Sequence, residues 1–371
     1  MVTEQPETSP LPKIPPLPLL RAVDRFRSFL TAALRRTAPA PVALLDIVQG
    51  GFLMQTLCAA AELGVADALA DGPLRLDALA TRVGAQPDAL ARLLRPLLAE
   101  GIFARDSDRY RLTSLAEPLR ADAPVSIRGI LQFYGSSDHR AIWSRLAEAV
   151  RTGDPVTEQV LGLPLFDLTR KNRQFGEMFD GAQTSASQLT LRPTLAAYDF
   201  AQYGTIVDIA GGHGRLLIEL LTRAPRSRGI LFDMPEVVAE VPAHLTALGL
   251  ADRCTVEGGS FFESAPTGGD AYILKHVLHD WYDADAGRIL RTVRAAMPDT
   301  ATLLLIEMVL PSDNRRQFGK LIDLEMLAVV GGRERTEQDF RTLLSANGFE
   351  LVRRVETAAP DNILEARPIR Q

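Results

Sequence analysis

The spacing of apolar residues changes along the chain and divides it into four segments. Residues 1–40 begin with six prolines in the first twenty positions. Because proline lacks a backbone donor and fixes φ, we expect a flexible, extended arm there. Residues 41–120 and 121–200 show helical spacing, with apolar positions three and four apart. In residues 201–371, short β-rich runs alternate with helical stretches.

The alternation after residue 201 predicts the fold class of the C-terminal segment. Strands are expected at 205–210, 229–233, 255–257, 271–274, 302–308 and 350–356, and helices at 216–223, 235–248, 284–297 and 338–346. Strands that alternate with helices form a parallel sheet with helices on both faces. We therefore expect an α/β domain with a doubly wound, mostly parallel sheet.

The segment 41–120 contains an unusually apolar helix. Residues 44–63 are apolar at most helical positions, more than one buried face requires, so we expect this helix in a homodimer interface. Two short strands around Ser107 and Asp108, after three helices, predict a winged helix. The second helix of that motif is only weakly basic and the chain is acidic, so a dimerising role is favoured over DNA binding.

An apolar stripe lies in the helical segment 121–200. Phe175, Met178, Phe179 and Ala182 follow at intervals of three and four. Such a stripe normally belongs to a hydrophobic core. It can also line a pocket beside the next domain, where aromatic rings and a thioether suit a flat ligand. The pattern leaves both interpretations open.

Composition narrows the class of protein. Hydrophobic residues make up 46% and charged residues 23% of 371 positions, which excludes a disordered chain and a collagen-like or coiled-coil rod. The net charge of −5 argues against a nucleic-acid partner. Cys58 and Cys254 are too few for a disulfide scaffold or a cysteine zinc site. We find no leader and no apolar run near the ~20 residues of a membrane span, so we expect a cytoplasmic protein without a membrane partner.

The turn after the first strand of the sheet carries ligand-binding signals. It reads Gly211-Gly212-His213-Gly214, but a dinucleotide motif needs a further glycine where Leu217 stands. Asp208, near the end of that strand, repels phosphates and attracts a sulfonium or an ammonium. Asp233 ends the second strand and can accept hydrogen bonds from both hydroxyls of a ribose. These features favour S-adenosylmethionine over NAD.

Further motifs lie between residues 274 and 336. The segment 274–283 reads LKHVLHDWYD, 306–311 reads IEMVLP, 323–327 reads DLEML, and 331–336 reads GGRERT. With them, residues 44–367 resemble the class I S-adenosylmethionine-dependent O-methyltransferases of the caffeate, hydroxyneurosporene and carminomycin type. The resemblance implies a Rossmann-like methyltransferase domain, an N-terminal dimerisation domain, and methylation of a hydroxyl on a flat, phenolic or polyketide-like molecule.

The resemblance makes His279 the general base. Its position after the fourth strand, and an imidazole that titrates near neutrality, support this role independently. Glu307 and Glu334 match the family's acidic pair, which would hold one imidazole tautomer and stabilise the imidazolium. His276 and His213 have weaker claims, and Asp280 could compete for the orienting role. We see no acidic cluster like that of the metal-dependent catechol enzymes and expect no metal.

Cofactor and acceptor contacts are also implied by the resemblance. The expected cofactor contacts are Ser187, Asp208, Gly211, Gly212, Asp233, Ser260, Phe261 and Lys275. The expected acceptor pocket is formed by Phe175, Phe179, Gln183, Asp280 and Met326. Two positions depart from the family: Ser260 replaces an aspartate at the adenine, and Gln183 replaces a frequent methionine.

Other activities remain compatible with parts of this sequence. Some relatives with the same fold and cofactor hydroxylate or decarboxylate, and nitrogen can replace oxygen as the methyl acceptor. An NAD-dependent dehydrogenase is disfavoured by Leu217. A non-catalytic regulator built on the winged helix would not need the intact His279-Asp280-Trp281 motif.

Overall fold

The computed structural model describes residues 15–370, which divide into two compact units. The N-terminal unit comprises Arg25–Glu148 and Val156–Leu189. The C-terminal unit comprises Ala149–Pro155 and the chain from Thr190 onward, together with the described residues before Arg25. Each unit has a hydrophobic core of its own, so each is described separately.

The first part of the chain is mainly helical. Its elements are α1 (Leu17–Arg36), α2 (Ala40–Glu62), α3 (Val65–Ala68), β1 (Leu74–Arg75), α4 (Leu76–Arg82), α5 (Pro87–Ala99), β2 (Phe103–Asp106), β3 (Arg109–Leu112), α6 (Arg128–Gly135), α7 (Ser137–Trp143), α8 (Leu146–Thr152), α9 (Thr157–Leu161), α10 (Leu165–Lys171) and α11 (Arg173–Ala197). The predicted hairpin is present, because β2 and β3 pair antiparallel around Ser107, and β1 joins β3 in a small sheet. Leu79, Leu94 and Phe103 lie in the core beneath it.

The expectation of an extended arm up to residue 40 is wrong from Leu17 onward. α1 is a helix of 20 residues. Pro16 and Pro18 lie at its start, where a missing N–H leaves no intrahelical bond unmade, and the next proline is Pro39. The prolines therefore permit the helix that they were expected to prevent. Residues 1–14, which include Pro6, Pro10 and Pro12, lie outside the described residues.

α2 carries most of its apolar surface on the outside. Of its 23 residues only Cys58, Ala60 and Ala61 are buried, while Phe52 is 74% exposed. With a mean hydropathy of 1.5, α2 is the one described helix that is long and apolar enough to cross a membrane. Our expectation of no such segment was wrong because it considered uninterrupted apolar runs, and Asp46 interrupts this one.

The C-terminal unit is built on an eight-stranded sheet. Its elements are β4 (Thr205–Ile209), α12 (Arg215–Arg223), β5 (Arg228–Asp233), α13 (Pro235–Val238), α14 (Val241–Ala247), β6 (Cys254–Gly258), β7 (Ala271–Lys275), α15 (Asp283–Ala296), β8 (Thr302–Leu310), α16 (Gly319–Val329), β9 (Arg335–Thr336), α17 (Glu337–Ala346), β10 (Phe349–Glu356) and β11 (Asp361–Pro368). The strand order is β10-β11-β8-β7-β4-β5-β6, and β9 pairs with β8.

The observed sheet confirms the doubly wound, mostly parallel fold. Strands β4 to β8 run parallel, and the two pairings made by β11 are antiparallel. The sequence did not predict β11. The chain proceeds from β4 to β5 and β6 on one side and then returns to β7 on the other, so the strand order reverses beside β4. Ligands bind at the carboxyl ends of the strands at such a switch point.

Candidate active site

The turn between β4 and α12 brings backbone unusually close to the strand ends. A Cβ at Gly211 would lie 2.5 Å from Leu231 Cδ1 and 2.7 Å from Asp208 Oδ2, so no larger residue fits there without rearrangement. Gly212 has φ of 59°, in the left-handed region, and a Cβ there would meet no atom within 4 Å. The turn therefore leaves open space above Gly212 at the switch point.

Two carboxylates flank this turn. Asp208 is 1% exposed, and its Oδ2 has no hydrogen-bond partner among the described residues. Burial raises the pKa of Asp208 to about 7, against a smaller opposing effect of Lys275. Asp233 accepts hydrogen bonds from Gly212 N at 2.8 Å and Met234 N at 2.7 Å. Each oxygen of Asp233 retains a lone pair for a ligand hydroxyl.

These residues fit the cofactor that the sequence suggested. An unpartnered buried carboxylate oxygen at Asp208 suits a nearby positive charge and opposes a diphosphate. Ser260 Oγ accepts a hydrogen bond from Phe262 N at 3.3 Å, so its hydroxyl proton remains available to an adenine nitrogen. Phe261, beside it, packs edge-on against Trp281 at 6.1 Å. The set would hold an adenosyl group on Asp233, Ser260 and Phe261, with a cationic sulfur on the side of Asp208.

A polar network continues from Lys275 into the sheet. Lys275 Nζ lies 3.4 Å from His276 Nδ1, and His276 Nε2 lies 2.9 Å from Asp361 Oδ1. Burial opposes the charge on Asp361, but His276 and Lys275 hold its pKa at about 2. The sequence reasoning missed Asp361 because it lies on the unpredicted β11. The backbone of His276 has φ of 53°, and such strain in a non-glycine residue concentrates at functional sites.

The structure brings His279, Glu307 and Glu334 together from three separate parts of the chain. His279 lies on the 3₁₀ turn Leu278–Asp280, after β7. Its Nδ1 is 2.9 Å from Glu334 Oε1 and 3.9 Å from Glu307 Oε2, and its Nε2 is 3.5 Å from Asp280 Oδ1. Glu307 Oε1 accepts hydrogen bonds from the backbone N–H groups of residues 277 and 278, which fixes this carboxylate beneath the turn.

The carboxylates dominate the protonation of His279. Burial alone would lower its pKa, but Asp280, Glu307 and Glu334 together raise it to about 10. The same burial raises the pKa of Glu307 to about 7 and that of Asp280 to about 6. The cluster therefore holds a proton on the imidazole more tightly than a free histidine does.

The same three residues have the donor atoms of a metal site. Nδ1 of His279 and one oxygen of each glutamate lie within 4.8 Å of one another. The hydrogen bond between Nδ1 and Glu334 Oε1 occupies two of these donor atoms. The cluster can therefore bind either a proton or a metal cation. The absence of a catalytic metal stays a prediction.

The expected acceptor residues are placed in both units. In the N-terminal unit, Phe175 is 2% exposed and packs against Phe133 at 6.0 Å between ring centres, so it belongs to that unit's core. Phe179 also packs on Phe133, at 5.7 Å, but is half-buried. On the same helix, Gln183 is exposed and Ser187 is half-buried. In the C-terminal unit, the half-buried Met326 lies on α16 and Asp280 lies beside His279.

Comparison with known proteins identifies the family. Residues 45–122 match the O-methyltransferase dimerisation domain, and residues 143–350 match the O-methyltransferase domain. The chain belongs to the O-methyltransferase family. The family uses S-adenosylmethionine, so this O-methyltransferase is an S-adenosylmethionine-dependent enzyme, and the resemblance, fold class and cofactor expected from the sequence are confirmed. These matches favour a methyltransferase over an NAD-dependent dehydrogenase and over a non-catalytic regulator.

Individual relatives of this O-methyltransferase cover nearly the same length. The phenazine O-methyltransferase PhzM of Lysobacter antibioticus is 39% identical over 327 residues, 88% of this chain and 96% of the relative. The 8-amino-8-demethylriboflavin N,N-dimethyltransferase of Streptomyces davaonensis is 37% identical over 80% of this chain and 86% of the relative. The crystal structure of human N-acetylserotonin methyltransferase with SAM has a TM-score of 0.82 at 30% identity, covering 89% of this chain and 98% of that one.

Proposed function

We propose that this O-methyltransferase methylates a hydroxyl of a flat aromatic molecule, with His279 as the general base. The observation that carries the proposal is the 2.9 Å hydrogen bond between His279 Nδ1 and Glu334. In this arrangement Nδ1 carries a proton and donates it in a hydrogen bond to Glu334. Nε2 is then left without a proton and can accept one from the hydroxyl of the acceptor. S-adenosylmethionine supplies the methyl group in activated form, as a sulfonium.

The chain's residues perform orientation and proton transfer. Nε2 of His279 takes the hydroxyl proton, which makes the acceptor oxygen nucleophilic. Bound S-adenosylmethionine would supply the methyl group, and its sulfur would leave as the neutral thioether when the carbon–sulfur bond breaks. Glu334 and Glu307 hold the imidazolium that forms, as the acidic partner does in a catalytic triad. Asp233, Ser260 and the glycine turn align the donor, and alignment of two bound reactants accounts for much of the acceleration.

The proton affinity of His279 favours a phenolic acceptor. Its pKa of about 10 matches that of a phenol, for which the tyrosine side chain, about 10, is the guide. Proton transfer between groups of similar pKa is nearly balanced in free energy, whereas an aliphatic alcohol holds its proton far more tightly. The phenazine named for one relative is likewise a flat aromatic system.

Replacement of His279 tests the base directly. His279→Gln should lose turnover by roughly 10²–10⁴-fold on a phenolic panel, because no group accepts the proton. Its affinity for S-adenosylmethionine, measured by calorimetry, should stay that of the wild type, since the cofactor residues are elsewhere. The matched control His244→Gln, on α14, should retain activity.

Product analysis separates the alternatives. Mass spectrometry should show a methyl group on oxygen, and the rate should survive dialysis against a chelator. A methylated amine, a hydroxylated or decarboxylated product, or a rate restored only by added metal would each contradict the proposal. Wild-type turnover by His279→Gln would remove His279 as the base.

We further infer that the chain is a cytoplasmic homodimer formed through its N-terminal domain. The family's dimerisation domain begins at residue 45, within α2, where Phe52 is among the most exposed apolar side chains. α1 adds a stripe of exposed apolar residues at helical spacing: Leu19, Val23, Phe26, Leu30 and Leu34. A second copy of the chain would cover these faces, which otherwise exceed what a soluble monomer exposes.

Light scattering tests the dimer. Phe52→Glu should shift the mass toward the monomer or weaken dimerisation at least tenfold, because a charge would be buried at the interface. Thr342→Glu, an exposed position on α17, should leave the mass of the dimer unchanged. A monomeric wild-type mass, or sedimentation of the chain with membranes in the absence of detergent, would contradict this inference.

A further inference from the structure

We propose that Arg335 is a positioning residue that holds the turn bearing the general base in register with Glu334. The inference rests on the proposed role of His279. Arg335 is 1% exposed, and it is the largest fully buried side chain among the described residues. A buried guanidinium must find partners for its donors, and those it finds identify its role.

The partners of Arg335 lie on both sides of His279. Its Nη1 donates to Leu278 O at 2.7 Å, and its Nη2 donates to Trp281 O at 2.9 Å. Its Nε and Nη2 donate to Asp283 Oδ1 at 3.0 and 2.7 Å. One rigid planar group therefore spans the turn from the residue before the base to the first residue of α15. Lysine cannot do this, because its ammonium is a single point of charge.

Residues next to Arg335 also form hydrogen bonds with the turn that carries His279. Arg333 N donates to His279 O at 2.8 Å, and Glu334 Oε1 lies 2.9 Å from His279 Nδ1. A Cβ on Gly332 would lie 1.9 Å from His279 O, which shows how closely the two segments approach. Successive residues 333, 334 and 335 thus contact the backbone of the base, its ring and the ends of its turn.

The sheet anchors Arg335 in turn. β9, which consists of Arg335 and Thr336, pairs in parallel with Val309 and Leu310 of β8. β8 also carries Glu307. A single strand therefore fixes one carboxylate of the site directly and the position of the other through Arg335. Loss of the guanidinium should let the turn move relative to Glu334 while Glu307 stays in place.

This arrangement predicts a kinetic effect that differs from simple destabilisation. Misplacement of the base by about 1 Å can cost on the order of 100-fold in rate. Arg335→Lys should therefore lower kcat by about 10- to 100-fold, with KM for S-adenosylmethionine within twofold of the wild type. The exposed control Arg341→Lys, on α17, should change neither quantity.

The pH dependence of kcat is a second measurement, and it would stay unchanged if Arg335 only stabilised the fold. The groups facing His279 are Asp280 on its own turn, Glu307 on β8, Glu334 before β9, and the ring of His276 stacked at 5.5 Å at the end of β7. If Arg335 holds Glu334 against Nδ1, its loss weakens one of the three carboxylate contacts. The alkaline rise of kcat in Arg335→Lys should then begin at lower pH than in the wild type.

The experiment measures kcat, KM and pH profile for Arg335→Lys, Arg335→Ala and Asp283→Ala, with His279→Gln in parallel. Added guanidinium should restore part of the rate of Arg335→Ala. Asp283, with a side chain 60% exposed, can be replaced at little risk to folding, and its loss should lower kcat a few-fold without changing KM.

Two patterns would overturn the inference. One is wild-type kcat and pH profile in Arg335→Lys and Asp283→Ala. The other is a fall in rate that only follows a lower melting temperature and that guanidinium does not reverse. An active His279→Gln would instead overturn the role of the base, so the two failures are distinguishable.

Discussion

At the scale of single residues, the site depends on unequal proton affinities among neighbouring groups. Burial raises the pKa of Asp208 and that of Glu307, and it outweighs the opposing effects of Lys275 and His279. Asp361, with His276 and Lys275 beside it, shows the opposite shift, and the carboxylates around His279 raise the pKa of the imidazole. A base with such a high proton affinity is effective once deprotonated and scarce at neutral pH.

The charge of Asp280 should set the pH at which the enzyme becomes active. Neutral imidazole is the active form, so the rate should rise with pH toward the His279 pKa of about 10. Asp280→Asn removes one of the charges that raise this pKa, and the rise should move about 1–3 units lower. The profile of kcat/KM checks this. Asp285→Asn, the same loss of charge on α15, should leave the profile unchanged, and an equal shift in both variants would refute the local effect.

Much of the site could be predicted from the sequence, and the remainder depends on tertiary contacts. His279, Glu307 and Glu334 stand in recognisable segments, and the structure brings them within hydrogen-bond or ion-pair distance. Arg335 and Asp361 act through contacts with residues 57 and 85 positions away. No local pattern reveals such pairs. Arg335 stands in the segment GGRERT, but its hydrogen bonds to Leu278, Trp281 and Asp283 are visible only in the folded structure.

At the scale of elements, local spacing predicted the strands and helices that have regular patterns. The helical periodicity of 284–297 and 338–346 corresponds to α15 and α17 within one residue at each end. β11 was missed because the polar residues Asp361, Asn362 and Glu365 interrupt its short apolar run, although all three are buried. α1 was missed because the prolines before it suggested an extended arm up to residue 40, although no proline lies between Pro18 and Pro39.

The approach of the Gly331–Arg335 segment to the catalytic turn should make Gly332 intolerant of any side chain. Gly332→Ala would put a methyl group 1.9 Å from His279 O, and the required backbone shift should cost about 1–3 kcal/mol. Chemical denaturation measures this free energy. Gly181→Ala, on α11, where a Cβ meets nothing within 4 Å, is the matched control and should stabilise by roughly 0.5–1 kcal/mol. Equal stability of the two variants would contradict the close approach.

At the scale of the whole molecule, buried acids with raised pKa values should make the cofactor-free enzyme less stable in alkali. Asp208 has a pKa of about 7 when folded, above the 3.8 of an exposed aspartate, so the folded state binds its proton more tightly. Its contribution is fully present below pH 4 and is lost as the pH rises through 7. His279, raised from 6.5 to about 10, extends the same trend to higher pH.

Asp208→Asn should therefore stabilise the enzyme at pH 8 and have little effect at pH 4. The expected gain at pH 8 is on the order of 1–4 kcal/mol, because the buried charge is removed while the side-chain volume is kept. Urea unfolding at the two pH values measures it, with the exposed Asp252→Asn as the control. A gain of the same size at both pH values would show that the charge of Asp208 is not the cause.

The contacts between residues 331–335 and 278–283 limit where this enzyme can be re-engineered. Backbone, ring and guanidinium contacts link the two segments, so a substitution at Gly332, Glu334 or Arg335 would disturb the turn that carries His279. Random mutagenesis there would yield mostly inactive variants. Libraries aimed at new acceptors should instead vary the side chains of Phe179, Gln183 and Met326, the expected acceptor residues, and leave the contacts between residues 331–335 and 278–283 unchanged.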